Sequence, residues 1–156
     1  MSSDTITPED RVATKIVMVI NSFNFKENDE FNFHAIKDET GKIYLPNKIV
    51  KKDEPVKDCI DKILSDYLIV EQDSSVDCHL VDVIDTFSKT HDERIINLVF
   101  NIVVSRGDNH YFHKSLSMFK NKEILDIIDE RENISMSDAA AILMTVMRAS
   151  RQVSNG

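Results

Sequence analysis

YLPNKIVKKDEPVKDCIDKILSDYLIV, residues 44–70, decides how this chain folds. Pro46 ends an extended segment, because proline has no amide to continue a strand ladder. Residues 47–53 then read as a loop carrying Lys48, Lys51 and Lys52. Pro55 suits the first helical position, so a helix is expected from there to Tyr67. Val56, Cys59, Ile60, Ile63, Leu64, Tyr67 and Leu68 recur in alternating steps of three and one, which makes one continuous helical stripe. Lys57, Asp58, Asp61, Lys62 and Ser65 fall on the other side.

Working outward, residues 16–20 (IVMVI) are short, apolar and β-branched, and predict a buried strand. Residues 31–36 predict a second strand and 42–45 its return, joined by a turn at Asp38-Glu39-Thr40-Gly41. After the helix, residues 76–87 and 94–104 predict two strands joined as an antiparallel hairpin. Arg106-Gly107-Asp108-Asn109 is a turn signal, and 110–118 returns as a strand or extended segment. Two helices finish the chain, over 122–131 and from a Ser135 cap with Asp138 three residues on to about Arg151. Strands, one helix, more strands and two helices show no regular βαβ alternation. The expected class is α+β, a mixed β-sheet sandwiched by helices. Residues 1–6 read as a leader, 7–10 as one helical turn, 7–151 as a single domain and 152–156 as a tail.

Composition narrows the function. The 156 residues are 42% hydrophobic and 29% charged, an ordinary globular balance. Nineteen bases against 27 acids give a formal net charge of −8, which argues against nucleic acid as a main partner. A local cluster of lysines can still bind a phosphate. The N-terminal MSSDTITPEDR has neither a basic nor an apolar segment and is no secretory signal. Residues 95–104, the longest apolar stretch, are too short to cross a bilayer as a helix, so no membrane partner is expected. Cys59 and Cys78 form no CxxC and read as free thiols of an intracellular, cytoplasmic protein. No GxSxG, Walker A, HExxH, GxGxxG or EF-hand pattern occurs, and three glycines leave little material for backbone phosphate cradles.

The element order around residues 44–70 resembles the Nudix hydrolase-like superfamily. There a strand ends at Leu-Pro, a loop and the Nudix helix follow, and a hairpin and a C-terminal helix come after. The family signature is G-x5-E-x7-R-E-U-x-E-E-x-G-U, with U a bulky apolar residue. Setting Leu45-Pro46 on the family's Leu-Pro puts the first glycine on Lys48 and the first glutamate on Glu54, a match. The arginine falls on Lys62, and the next glutamate on Ile63. Leu64 matches the apolar position, and the glutamate pair falls on Asp66 and Tyr67. The last glycine falls on Ile69 and the last apolar position on Val70. The resemblance runs over roughly residues 15–151, mostly as a pattern of elements, and the signature is degenerate.

Members of that family cleave nucleoside diphosphates linked to another group, using Mg²⁺ or Mn²⁺ held by the signature glutamates. Here Ile63 and Tyr67 lie in the apolar stripe, so part of the metal face reads as packing surface. The resemblance therefore implies first a non-catalytic module that senses a nucleotide-type ligand or binds a protein, as partner or homodimer. Lys48, Lys51, Lys52 and Lys62, with Lys42 nearby, would meet its phosphates. The alternative is a divergent Mg- or Mn-dependent hydrolase built on Glu54 and Asp66, with Asp92 or Glu93 assisting. A third reading is an unrelated α+β interaction domain.

Other residues read more simply. Asp58 and Asp61, beside Lys57 and Lys62, read as a solvated, salt-bridged helix face rather than a metal cluster. Asp92 and Glu93 read as an acidic turn. His110 and His113 would face opposite sides of a strand and cannot share a metal. His79 and His91 have no partner at ligand spacing, and Met136, Met144 and Met147 read as helix core or a partner face.

Overall fold

The structure, a computed structural model, describes residues 12–23, 31–69, 76–88, 93–105, 111–112 and 115–155. Its centre is two long strands, β1 (Val12–Phe23) and β7 (Glu93–Ser105), which run parallel over their shared length. Both are rich in Ile and Val, as strands buried on two faces must be. β2 (Phe31–Lys37) and β6 (Val76–Ser88) flank them antiparallel, and β3 (Ile43–Tyr44) lies outside β2, giving the order β3-β2-β1-β7-β6. β4 (Asn47–Ile49) pairs with the first half of β1, and β9 (Leu116–Lys120) pairs with β2. β5 (Leu68–Ile69) and β8 (Tyr111–Phe112) form a separate two-stranded sheet.

Alternation along β1 sorts the core into two layers. Ile16, Met18 and Ile20 point to one face, where Cys59 and Ile63 of α1 (Val56–Tyr67) cover them together with Ile102 and Val104. Val17 and Val19 point to the other, against Ile124 and Ile128 of α2 (Asn121–Glu130) and Ala141 and Ile142 of α3 (Met136–Asn155). The expected mixed sheet sandwiched by helices is what the chain forms.

Local chemistry explains the joints. Asp38 Oδ1 accepts hydrogen bonds from Thr40 N, Thr40 Oγ1 and Lys42 N, and Oδ2 accepts from Tyr44 Oη. Gly41 takes φ +90°, which closes this turn without a Cβ clash. Ser135 caps α3 as expected: its Oγ accepts from Asp138 N at 3.2 Å. Asp138 is itself buried, and its Oδ2 accepts from Leu45 N at 3.3 Å, tying α3 to the Leu45-Pro46 corner.

Several sequence expectations are corrected. Residues 47–49 are strand, not loop: Val50 N donates to Thr14 O and Met18 N to Pro46 O, so backbone pairing with β1 overrides a polar, unpatterned sequence. Pro55 is the N-cap rather than the first helical residue, with ψ 145° and its carbonyl accepting from Asp58 N and Cys59 N. Residues 110–118 do not make one strand, since β8 and β9 belong to different sheets. β1 runs well past 16–20 at both ends, because Asn21 and Ser22 are buried without being apolar. The expected turn at residues 7–10 lies outside the described residues, as do His91, Asp92, His110 and His113.

Candidate functional site

The residues singled out in 44–70 converge at the start of α1. The turn before the helix, closed by Glu54 N donating to Lys51 O at 3.1 Å, brings Glu54 back against the helix. Glu54 Oε2 there pairs with Lys62 Nζ, nearly two turns past the helix start. The Glu54 side chain is only 6% exposed, and its Oε1 is buried with no hydrogen-bond partner. The Lys62 ammonium holds the Glu54 carboxyl below its ordinary range, and the carboxylate in turn raises Lys62. Cys59, fully buried beside them, has its thiol pushed up by burial and by the charge of Glu54, against the opposing charges of Lys48 and Lys62.

Above this pair lies a groove of about 350 Å³ lined by Lys51, Lys52, Asp53, Glu54, Pro55, Asp58 and Lys62. It carries three lysines and three carboxylates, one of each already joined in the Glu54–Lys62 pair. Lys51 and Lys52 are exposed and free to reach an anion as point charges.

The other sequence candidates sit apart from it. Lys48 lies in β4, opposite Ile16, and does not line the groove. Asp66 is exposed on α1, one turn beyond Lys62, and also does not line it. Glu93 is the first residue of β7, paired with Ser88, rather than part of the loop. Met144 packs on the core, whereas Met136 and Met147 are exposed. Buried polar contacts that the sequence reading missed are Ser22 Oγ with His34 Nε2 at 2.7 Å, and Asn21 with Asn101. Each depends on strand register, which single-strand patterning does not reveal.

A divalent metal has little to bind here. Ile63 is 2% exposed within the core, and Tyr67 packs against the same cluster. Glu54 is engaged by Lys62, and Asp66 is exposed on the helix surface, outside the groove that Glu54 lines. Among the described residues no three His, Cys, Asp or Glu side chains gather around one point. Mg²⁺ asks for clustered oxygen ligands, and this donor set does not fit it.

The chain matches no protein-family model, and no curated protein is similar to it in sequence. Its fold is shared with solved structures. A mutT/nudix family protein from Listeria innocua superposes with a TM-score of 0.66 at 11% identity, covering 92% of this chain and 98% of that one. A protein from Jonesia denitrificans, described as a possible asymmetric diadenosine tetraphosphate hydrolase, gives 0.64 at 14%, covering 89% and 95%. The NUDIX domain of Shewanella oneidensis NrtR, solved with ADP ribose, gives 0.59 at 10%, covering 87% of each chain. These likenesses show that this chain has the Nudix fold.

Proposed function

We propose that this chain is a Nudix-fold binding domain for a nucleotide-type ligand and that it does not carry out the family's metal-dependent hydrolysis. Lys51 and Lys52 contact the ligand's phosphates at the mouth of the groove, and Lys62, held by Glu54, lies behind them. Lys48 adds positive charge from the side of β4. The observation that carries the reading is Ile63: where the resemblance puts a metal-binding glutamate, this helix turns a sealed core residue toward the sheet. The solved relatives support the ligand class, since one is a Nudix domain bound to ADP ribose and another is described as acting on a dinucleotide. The same relatives are mostly described as hydrolases, so turnover built on Glu54, Asp66 and Glu93 is the competing account.

The binding half is tested by calorimetry with ADP, ADP ribose and diadenosine tetraphosphate, with and without Mg²⁺. At least one should bind and raise the melting temperature, since ligand at about a hundred times its Kd stabilises by roughly 2.7 kcal/mol. Lys51→Ala with Lys52→Ala should weaken binding about tenfold, the effect of losing roughly 1.4 kcal/mol of phosphate contact. Lys57→Ala, on the exposed helix surface away from the groove lining, should leave it unchanged. If none of these compounds binds, the ligand class is wrong.

A further inference from the structure

The resemblance implies a divalent ion in this groove, and α1 supplies an ammonium instead. Lys62 Nζ pairs with Glu54 Oε2. Asp58 lies one turn before Lys62 on the same helix face. The hydrogen bond from Glu54 raises Lys62 above its ordinary range, and the charge of Asp58 adds to it. One ammonium therefore serves two of the three carboxylates that line the groove. The third, Asp53, is exposed, and among the described residues no three His, Cys, Asp or Glu side chains gather around one point. A dication brought between Glu54 and Asp58 would meet a positive charge already in place. Glu54 itself is only 6% exposed, so it stays with Lys62 and does not reach out to the groove mouth.

We propose that Lys62 takes the place of the divalent ion, so that the groove accepts the metal-free form of its ligand's phosphates and Mg²⁺ opposes binding. The inference rests on the nucleotide reading of the groove and adds a regulation to it. Charge and geometry act in the same direction. Lys51 and Lys52 are exposed in the groove lining and meet phosphate oxygens as point charges. Mg²⁺ chelated by the ligand occupies those same oxygens, cancels part of their charge and brings its own shell of water. The lysines are left with a weaker anion, since their attraction scales with its charge. A metal-bound phosphate gains on a protein only where carboxylates complete the coordination of the metal. Here Glu54 and Asp58 are already served by Lys62, and Asp53 is left to act alone. A groove of this kind responds to free nucleotide, so its occupancy falls when Mg²⁺ rises at constant total nucleotide.

Calorimetry on the full chain with ADP, ADP ribose and diadenosine tetraphosphate reads the sign of the metal effect. Each compound is titrated in EDTA and again with excess Mg²⁺ in both cell and syringe. Sodium chloride matches the ionic strength, so that plain screening is equal in the two buffers. Whichever compound binds should lose about tenfold in affinity in Mg²⁺. Lys62→Arg keeps the cation and should keep that loss. Lys62→Gln leaves Glu54 and Asp58 without their ammonium. It should bind more weakly in EDTA and no longer lose affinity in Mg²⁺, with a thermal melt to check that it folds. The parent titrations decide the sign even if that variant does not fold. Binding that Mg²⁺ strengthens or leaves unchanged would overturn the inference and leave the nucleotide reading standing. So would a loss in Mg²⁺ that persists undiminished in a folded Lys62→Gln chain. No binding by any of the three compounds in either buffer would overturn both.

Discussion

Replacing Ile63 by glutamate restores the side chain that the Nudix signature has at this place, and the structure says that it will wreck the fold rather than revive a metal site. Ile63 is 2% exposed and packs with Ile16, Met18 and Ile20. Losing a buried isoleucine costs about 2–5 kcal/mol. The new carboxyl must also become neutral or sit charged without a partner, and holding a buried glutamate protonated at pH 7 costs about 3–4 kcal/mol. Together these reach roughly 5–9 kcal/mol, comparable with the whole stability of a typical domain. Even the lower figure lowers the melting temperature by about 10 °C or more at this chain length. Urea unfolding of Ile63→Glu and Ile63→Ala over a range of pH separates the two costs. The alanine penalty should be flat with pH. The glutamate penalty should shrink in acid, where the buried carboxyl is protonated, and grow as pH rises toward its raised folded pKa. An Ile63→Glu protein that melts like the parent at every pH, and gains Mg²⁺-dependent turnover, would refute the packing argument.

Other outcomes follow from the same structure. Burial pushes the Asp138 carboxyl up, against the amide of Leu45, the charge of Lys15 and the hydroxyl of Ser135. Its folded pKa is raised, so its contribution is fullest below the unfolded value of 3.8 and is lost as pH rises through the folded one. Asp138→Asn, which still accepts from Leu45 N, should therefore be more stable than the parent at neutral pH, with the advantage vanishing in acid; urea melts check it. Asp38 has the opposite sign: its carboxyl is held down first by Thr40, then by the other turn donors, so its stabilisation is present above pH 3.8 and lost as pH falls. Asp38→Ala should melt below the parent at neutral pH and converge with it in strong acid. Thiol titration should find one reactive cysteine in the native chain, Cys78, and a second, Cys59, only on unfolding.

What the sequence made legible is what local periodicity encodes. The steps of three and one in residues 56–68 placed α1 and its buried side, down to Ile63 and Cys59, and the apolar runs placed β1, β6 and β7. What escaped depends on partners distant in the chain. β4 is a strand only because β1 lies beside it, and Ser22 meets His34 only through the register of β1 on β2. The Glu54–Lys62 pair escaped because it spans the helix start, where the spacing rules for helical neighbours do not apply. Glu54 therefore looked like a candidate metal ligand, whereas its nearest charge is a lysine. The bulge in β6 had no signature in VDCHLVDVIDTFS, although it decides that Leu80 and Val83 share a face.

The central claim is that this Nudix fold binds without hydrolysing. The most direct test is a turnover screen with Mg²⁺ and Mn²⁺ over ADP ribose, dinucleotides and nucleoside triphosphates, run beside binding on the same samples. The account predicts a ligand that binds, loses affinity with Lys51→Ala and Lys52→Ala, and is recovered intact. Metal-dependent turnover that disappears in Glu54→Gln or Asp66→Asn, while those variants stay folded, would contradict it.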